Sequence, residues 1–159
     1  MSKPNLKSSW LDFLCDQDFT HAITFKPNDA DFTKSVAALH RLFVRAHMLV
    51  QRRLIGRGFN LAKNRTRETP ALGIVEGSLL TGHIHGAFKV APEDWTKFEG
   101  LFAGDKRRGH DPNIWRTLVA SGTCVVEPIY AGEGWHSYTF KDVWQTNDTD
   151  RLVILPLSV

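Results

Sequence analysis

Seven apolar residues, Phe32, Val36, Leu39, Phe43, Ala46, Val50 and Leu54, recur at steps of three and four. That spacing predicts one long amphipathic helix from about Ala30 to Ile55, its stripe turned to a core. Gly56 and Gly58 end it, and residues 57–70 read as an exposed basic loop. A stripe of this length needs a wide apolar surface to lie on, and its neighbours supply strands. Residues 19–25 (FTHAITF) alternate, with Phe19, Ile23 and Phe25 on one face and Thr20, Ala22 and Thr24 on the other. Residues 71–76 (ALGIVE) and 83–90 (HIHGAFKV) are two further strands, joined through the turn residues Gly77-Ser78 and Thr81-Gly82. Pro92, Glu93 and Asp94 open a second helix with Trp95, Phe98, Leu101 and Phe102 as its stripe. Strands at 123–129 and 152–157 and a short helix around 135–144 follow. Strands and helices interleave as β-α-β-β-α-β. That is the order of an α+β, ferredoxin-like antiparallel sheet with helices packed on one face and the active site on the other.

The length, 159 residues, suits one domain spanning 1–159, with residues 1–18 as an N-terminal extension whose Trp10, Leu11, Phe13 and Leu14 pack on the rest. Two cysteines, Cys15 and Cys124, are too few for a disulfide framework and read as small core residues. No apolar run approaches a membrane span and no secretory leader stands out, so the expected location is cytoplasmic, with no membrane partner. Net charge is +3, but residues 32–67 hold nine Lys/Arg and no Asp or Glu, while the remaining segments hold 11 basic and 17 acidic residues. Such a block points to a polyanionic partner.

His83-Ile84-His85 carries the most chemistry. On a strand both imidazoles project to one side while Ile84 enters the core, and two nitrogens one residue apart can chelate one divalent ion. Glu76 ends the preceding strand. A hairpin register that opposes it to His83 or to His85 places its carboxylate on the histidine face, and a slip of one residue removes it. Two imidazoles and one carboxylate suit Mg²⁺ or Mn²⁺ acting on a phosphate better than a closed zinc site. Near the C-terminus, Tyr138 and Lys141 stand three apart, which on a helix is one face. A phenol there needs a neighbouring cation or metal before it becomes a nucleophile. Tyr130, the other tyrosine, follows an apolar strand and is expected to be packed. His21 and His136 are expected to be structural or surface residues, and His40 and His47 are not expected to be ligands.

The order FTHAITF, then Glu76 with HIHG at 83–86, then YTFK at 138–141, resembles the three motifs of the HUH endonucleases. More narrowly, it resembles the single-tyrosine replication initiators of rolling-circle replicons. The resemblance implies a ferredoxin-like nicking domain, with His83 and His85 as metal ligands, Glu76 as the third ligand, Tyr138 as nucleophile and Lys141 as its helper. It implies Mn²⁺ or Mg²⁺ as cofactor and single-stranded or hairpin origin DNA as substrate. A host helicase and polymerase would be partners, because no helicase domain follows in this sequence. The first motif is mainly structural in that family, so Thr20 and Thr24 carry no catalytic expectation.

The expected reaction is site-specific nicking with a 5′-phosphotyrosine intermediate. Arg41, Arg45, Arg52, Arg53, Arg57, Lys63, Arg65 and Arg67 would track the DNA backbone, giving affinity but little sequence reading. Three other readings stay open. They are a single-tyrosine HUH transposase, a non-catalytic nucleic-acid-binding module on the same sheet, and a metal-dependent hydrolase with water as nucleophile.

Overall fold

The computed structural model describes residues 6–33, 35–77, 81–103, 113–130 and 148–156. Five strands form one antiparallel sheet. They are β1 (His21–Lys26), β2 (Ala71–Glu76), β3 (His83–Phe88), β4 (Thr123–Pro128) and β5 (Leu152–Leu155), in the spatial order β4-β1-β3-β2-β5. The helices are α1 (Leu6–Cys15), α2 (Ala30–Thr33), α3 (Val36–Leu54), α4 (Trp95–Ala103) and α5 (Ile114–Leu118). The chain is α+β, consistent with a ferredoxin-like arrangement in which β1, α3, β2, β3, α4 and β4 succeed one another. Strand β5 adds an edge beside β2.

The stripe predicted for one helix is divided between two. Ser35 interrupts it in extended conformation and caps α3, its hydroxyl accepting the Ala38 N–H at 3.1 Å. The hydroxyl satisfies an end N–H that an unbroken helix would have bonded internally, so serine favours a start at this point. Leu39, Leu42, Phe43, Ala46, Val50 and Leu54 are then buried on the sheet.

Phe43 fixes how close α3 comes. Gly73 on β2 and Gly86 on β3 are register partners, and the Phe43 ring lies over both. A Cβ at Gly73 would stand 2.7 Å from Phe43 Cδ1, and one at Gly86 2.9 Å from Cε2. The glycine after the two histidines is thus a packing residue: it clears the helix-side face of β3 while the imidazoles occupy the other.

The core lies between the sheet and α3, α4 and α5, and includes Ile23, Phe25, Ile84, Phe88, Phe98 and Trp115. Trp115 stacks on Phe25 with ring centroids 4.5 Å apart. Helix α5, not foreseen from the sequence, is five residues long, too short for a periodic stripe, and is capped by Asn113. The opposite sheet face has its own small cluster, in which Leu14 of α1 packs on Leu72 and Ile74. The N-terminal extension therefore docks through Leu14 on the face that also carries Glu76. Phe19 was expected to share a face with Ile23 and Phe25, but it packs with this second cluster. The regular strand begins only at His21, which takes the core-facing place instead.

Two expectations about burial fail. Cys15 is exposed, because it ends α1 away from the Leu14 contact; Cys124, by contrast, packs half-buried against the core as expected, and burial pushes its thiol up to about 11. Tyr130 is 91% exposed, because β4 ends at Pro128, two residues before it. Among the described residues, no helix is long and apolar enough to cross a membrane.

Candidate metal centre

The hairpin of β2 and β3 has the register Glu76↔His83, Ile74↔His85 and Gly73↔Gly86. Of the two registers that would bring the carboxylate to the histidine face, this is the one that opposes it to His83. Gly77 permits the turn: its φ is +89°, and a Cβ there would stand 2.7 Å from the Thr81 carbonyl oxygen. Arg151 supports the strand end from outside, donating to the Val75 carbonyl at 3.3 Å while its Nε–H reaches Asp148 at 3.0 Å.

The three side chains converge. Glu76 Oε2 is 3.2 Å from His85 Nε2 and 3.5 Å from His83 Nε2, and the two Nε2 atoms are 3.2 Å apart. One ligand atom from each residue lies within 4.8 Å of the others. This buried cluster could hold a metal ion.

The far nitrogen of each imidazole is also held. His83 Nδ1 is 3.1 Å from the Thr81 carbonyl, which can only accept, so Nδ1 carries the proton and Nε2 of the neutral ring keeps its lone pair for the cluster. His85 Nδ1 is 3.1 Å from Thr24 Oγ1 on β1. Thr24 is a positioning residue that sequence reasoning passed over. The signal was present, since Thr24 alternates with Ile23 and Phe25, but only the pairing Thr24↔His85 gives it a task.

Two observations test whether a cation fits. Glu76 is 2% exposed, and its second oxygen, Oε1, is buried without a hydrogen-bond partner among the described residues. An anionic oxygen in that position is costly unless something positive meets it. Electrostatics agree: burial alone would push the Glu76 carboxyl up, yet hydrogen bonds and charge from His83 and His85 bring it down to about 2. The His83 imidazole is raised, first by its hydrogen bond to Glu76, against an opposing burial effect. Carboxylate plus imidazolium is the protonic equivalent of carboxylate plus metal. The donor set of two nitrogens and a carboxylate therefore fits a divalent ion in place of the proton.

The other expected site residues fall into two groups. Tyr138, Lys141 and His136 lie outside the described residues. Arg41, Arg45, Arg52 and Arg53 are exposed on α3, which packs on the sheet face opposite the triad, so the structure does not bring them together with it. Arg57, Lys63, Arg65 and Arg67 are exposed in the segment after α3, whose base is fastened by His47 Nε2 and Gln51 to the backbone of Thr69. His21 faces away from the triad as well. It is buried between Trp95 and Phe98, with Nε2 3.2 Å from Glu99 on α4.

Comparison with known proteins returns no match: no family model, no curated protein and no solved structure is similar enough to assign the chain to a family.

Proposed function

We propose that this chain is a metal-dependent, site-specific single-stranded DNA endonuclease of the HUH type, nicking and rejoining DNA through a phosphotyrosine intermediate. The observation that carries the reading is the Glu76–His83–His85 cluster on the sheet face away from α3, with Oε1 of Glu76 left without a partner among the described residues. The ion it suits is Mn²⁺ or Mg²⁺, held by Nε2 of both histidines and the Glu76 carboxylate. When bound, such an ion polarises a phosphodiester and neutralises developing charge.

The chain's own residues supply the rest. Thr24 and the Thr81 carbonyl orient the imidazoles. The Tyr138 oxygen, having lost its proton, attacks phosphorus, and the phosphorus–O3′ bond breaks. The products are a 5′-phosphotyrosine and a free 3′-hydroxyl, which takes up a proton. Lys141 favours the phenolate or meets phosphoryl charge. A later 3′-hydroxyl reverses the step and joins strands. Initiation of rolling-circle replication, with helicase and polymerase supplied by the host, is the role that this chemistry fits. The basic residues of α3 and the segment after it serve a polyanion on the other side of the sheet, so they position the substrate at a distance from the metal centre.

The reading is tested with labelled single-stranded and hairpin oligonucleotides. Mn²⁺ should support cleavage, EDTA should stop it, and Tyr138→Phe should stop it with the metal present. Cleavage that survives Tyr138→Phe, with no covalent adduct, would replace this reading with the hydrolase that uses water.

A further inference from the structure

Lys26 is the last residue of β1 and is exposed. Along β1, Thr24 points to the triad face, as its contact with His85 proves, and Lys26 follows two residues later on the same face. The β1–β3 register pairs Thr24 with His85 and Phe25 with Ile84. Extended by one step beyond its last pair, that register sets Lys26 opposite His83, whose partner on β2 is Glu76. Among the described residues, no carboxylate forms an ion pair with Lys26.

Its backbone is unusually well fixed for a strand end. The buried Trp115 donates Nε1–H to the Lys26 carbonyl at 3.1 Å. The Pro27 carbonyl accepts the Ser121 hydroxyl at 2.9 Å, and Asn28 Nδ2 donates to the Ser121 carbonyl and to Thr123 Oγ1. The backbone of Lys26 is therefore held in place on the strand next to the cluster.

A cation rooted beside a cation-binding cluster opposes the ion that the cluster would take. The arrangement becomes favourable when an anion lies between them and meets both charges. We infer that Lys26 is the phosphate-binding residue of the metal centre, its ammonium meeting a non-bridging oxygen of a phosphoryl group held at the Glu76–His83–His85 cluster. This rests on the metal reading of the triad but not on the assignment of Tyr138.

The test uses the full chain at low ionic strength, with Mn²⁺ alone and then Mn²⁺ with thymidine 5′-monophosphate as probes. Lys26→Gln should bind Mn²⁺ as tightly as wild type or up to about threefold tighter, since a repelling charge is gone. The same variant should bind the nucleotide about tenfold more weakly in the presence of Mn²⁺. Lys26→Arg should stay near wild type in both. The inference is overturned if Lys26→Gln binds the nucleotide like wild type, if it loses Mn²⁺ and nucleotide alike, or if wild type takes Mn²⁺ but no nucleotide. Failure of the metal reading looks different: wild type itself takes no Mn²⁺, before any Lys26 variant is made, and the inference falls with it.

Discussion

Thr24 Oγ1 lies 3.1 Å from His85 Nδ1, joining β1 to the candidate metal centre through β3. With Nδ1 protonated, the hydroxyl accepts, and Nε2 of the neutral ring offers its lone pair to an ion shared with Glu76 and His83. Thr24→Val keeps the shape of the side chain and removes the acceptor. Mn²⁺ affinity should fall about tenfold, the lower end of what such supporting contacts contribute. Thr24→Ser should restore most of it. Isothermal titration with Mn²⁺ measures both, and equal affinity in wild type and Thr24→Val would remove the role.

Metal binding should also appear as stability. A ligand at a hundred times its dissociation constant stabilises by about 2.7 kcal/mol. For a domain of this size that is a rise in Tm of about 5–10 °C. Glu76→Gln should lose the metal-dependent rise, because the anionic member of the cluster is gone. Differential scanning calorimetry with Mn²⁺ and with EDTA decides the matter: an undiminished rise in Glu76→Gln would place the ion elsewhere.

Gly86→Ala should destabilise the fold by about 1–3 kcal/mol, because the new Cβ would lie 2.9 Å from Phe43 Cε2. Phe43→Leu in the same chain should recover part of that loss, since it withdraws the ring. Urea denaturation of the two single variants and the double variant measures the coupling. Purely additive losses would mean that the clash is not with Phe43.

His47 links acid stability to the segment after α3. It is buried, and burial, opposed in part by the Thr69 carbonyl, lowers its pKa. In the unfolded chain it binds a proton near the usual pH 6.5. The unfolded state therefore binds more protons just below that pH. The stabilising contribution is complete above about pH 6.5 and is lost as pH falls through the lower folded value. His47→Gln should flatten the dependence of unfolding free energy on pH below about 6.5. An unchanged slope would show that His47 does not titrate with folding.

Much of the candidate metal centre was legible because a strand has period two. His83 and His85 had to share a face, and Glu76 needed only one of two registers to join them. The choice between registers came from the turn at Gly77, which no strand pattern encodes. Thr24 was visible as a face but not as a partner, since pairing across β1 and β3 joins residues 61 positions apart. Ser35 shows the opposite limit: the apolar stripe runs straight through it, and only the capping hydroxyl marks the break. The separation of the α3 arginines from the triad followed from Phe43 lying on Gly73 and Gly86, a close approach that charge counting does not register. Tyr130 looked buried because the strand before it is apolar, but β4 ends before reaching it.

The most direct measurement is mass analysis of the tyrosine peptides after incubation with single-stranded DNA and Mn²⁺. A nucleotide adduct is expected on the peptide containing Tyr138, absent with EDTA, in Glu76→Gln and in Tyr138→Phe. An adduct on the exposed Tyr130, or DNA cleavage with neither tyrosine modified, would contradict the account.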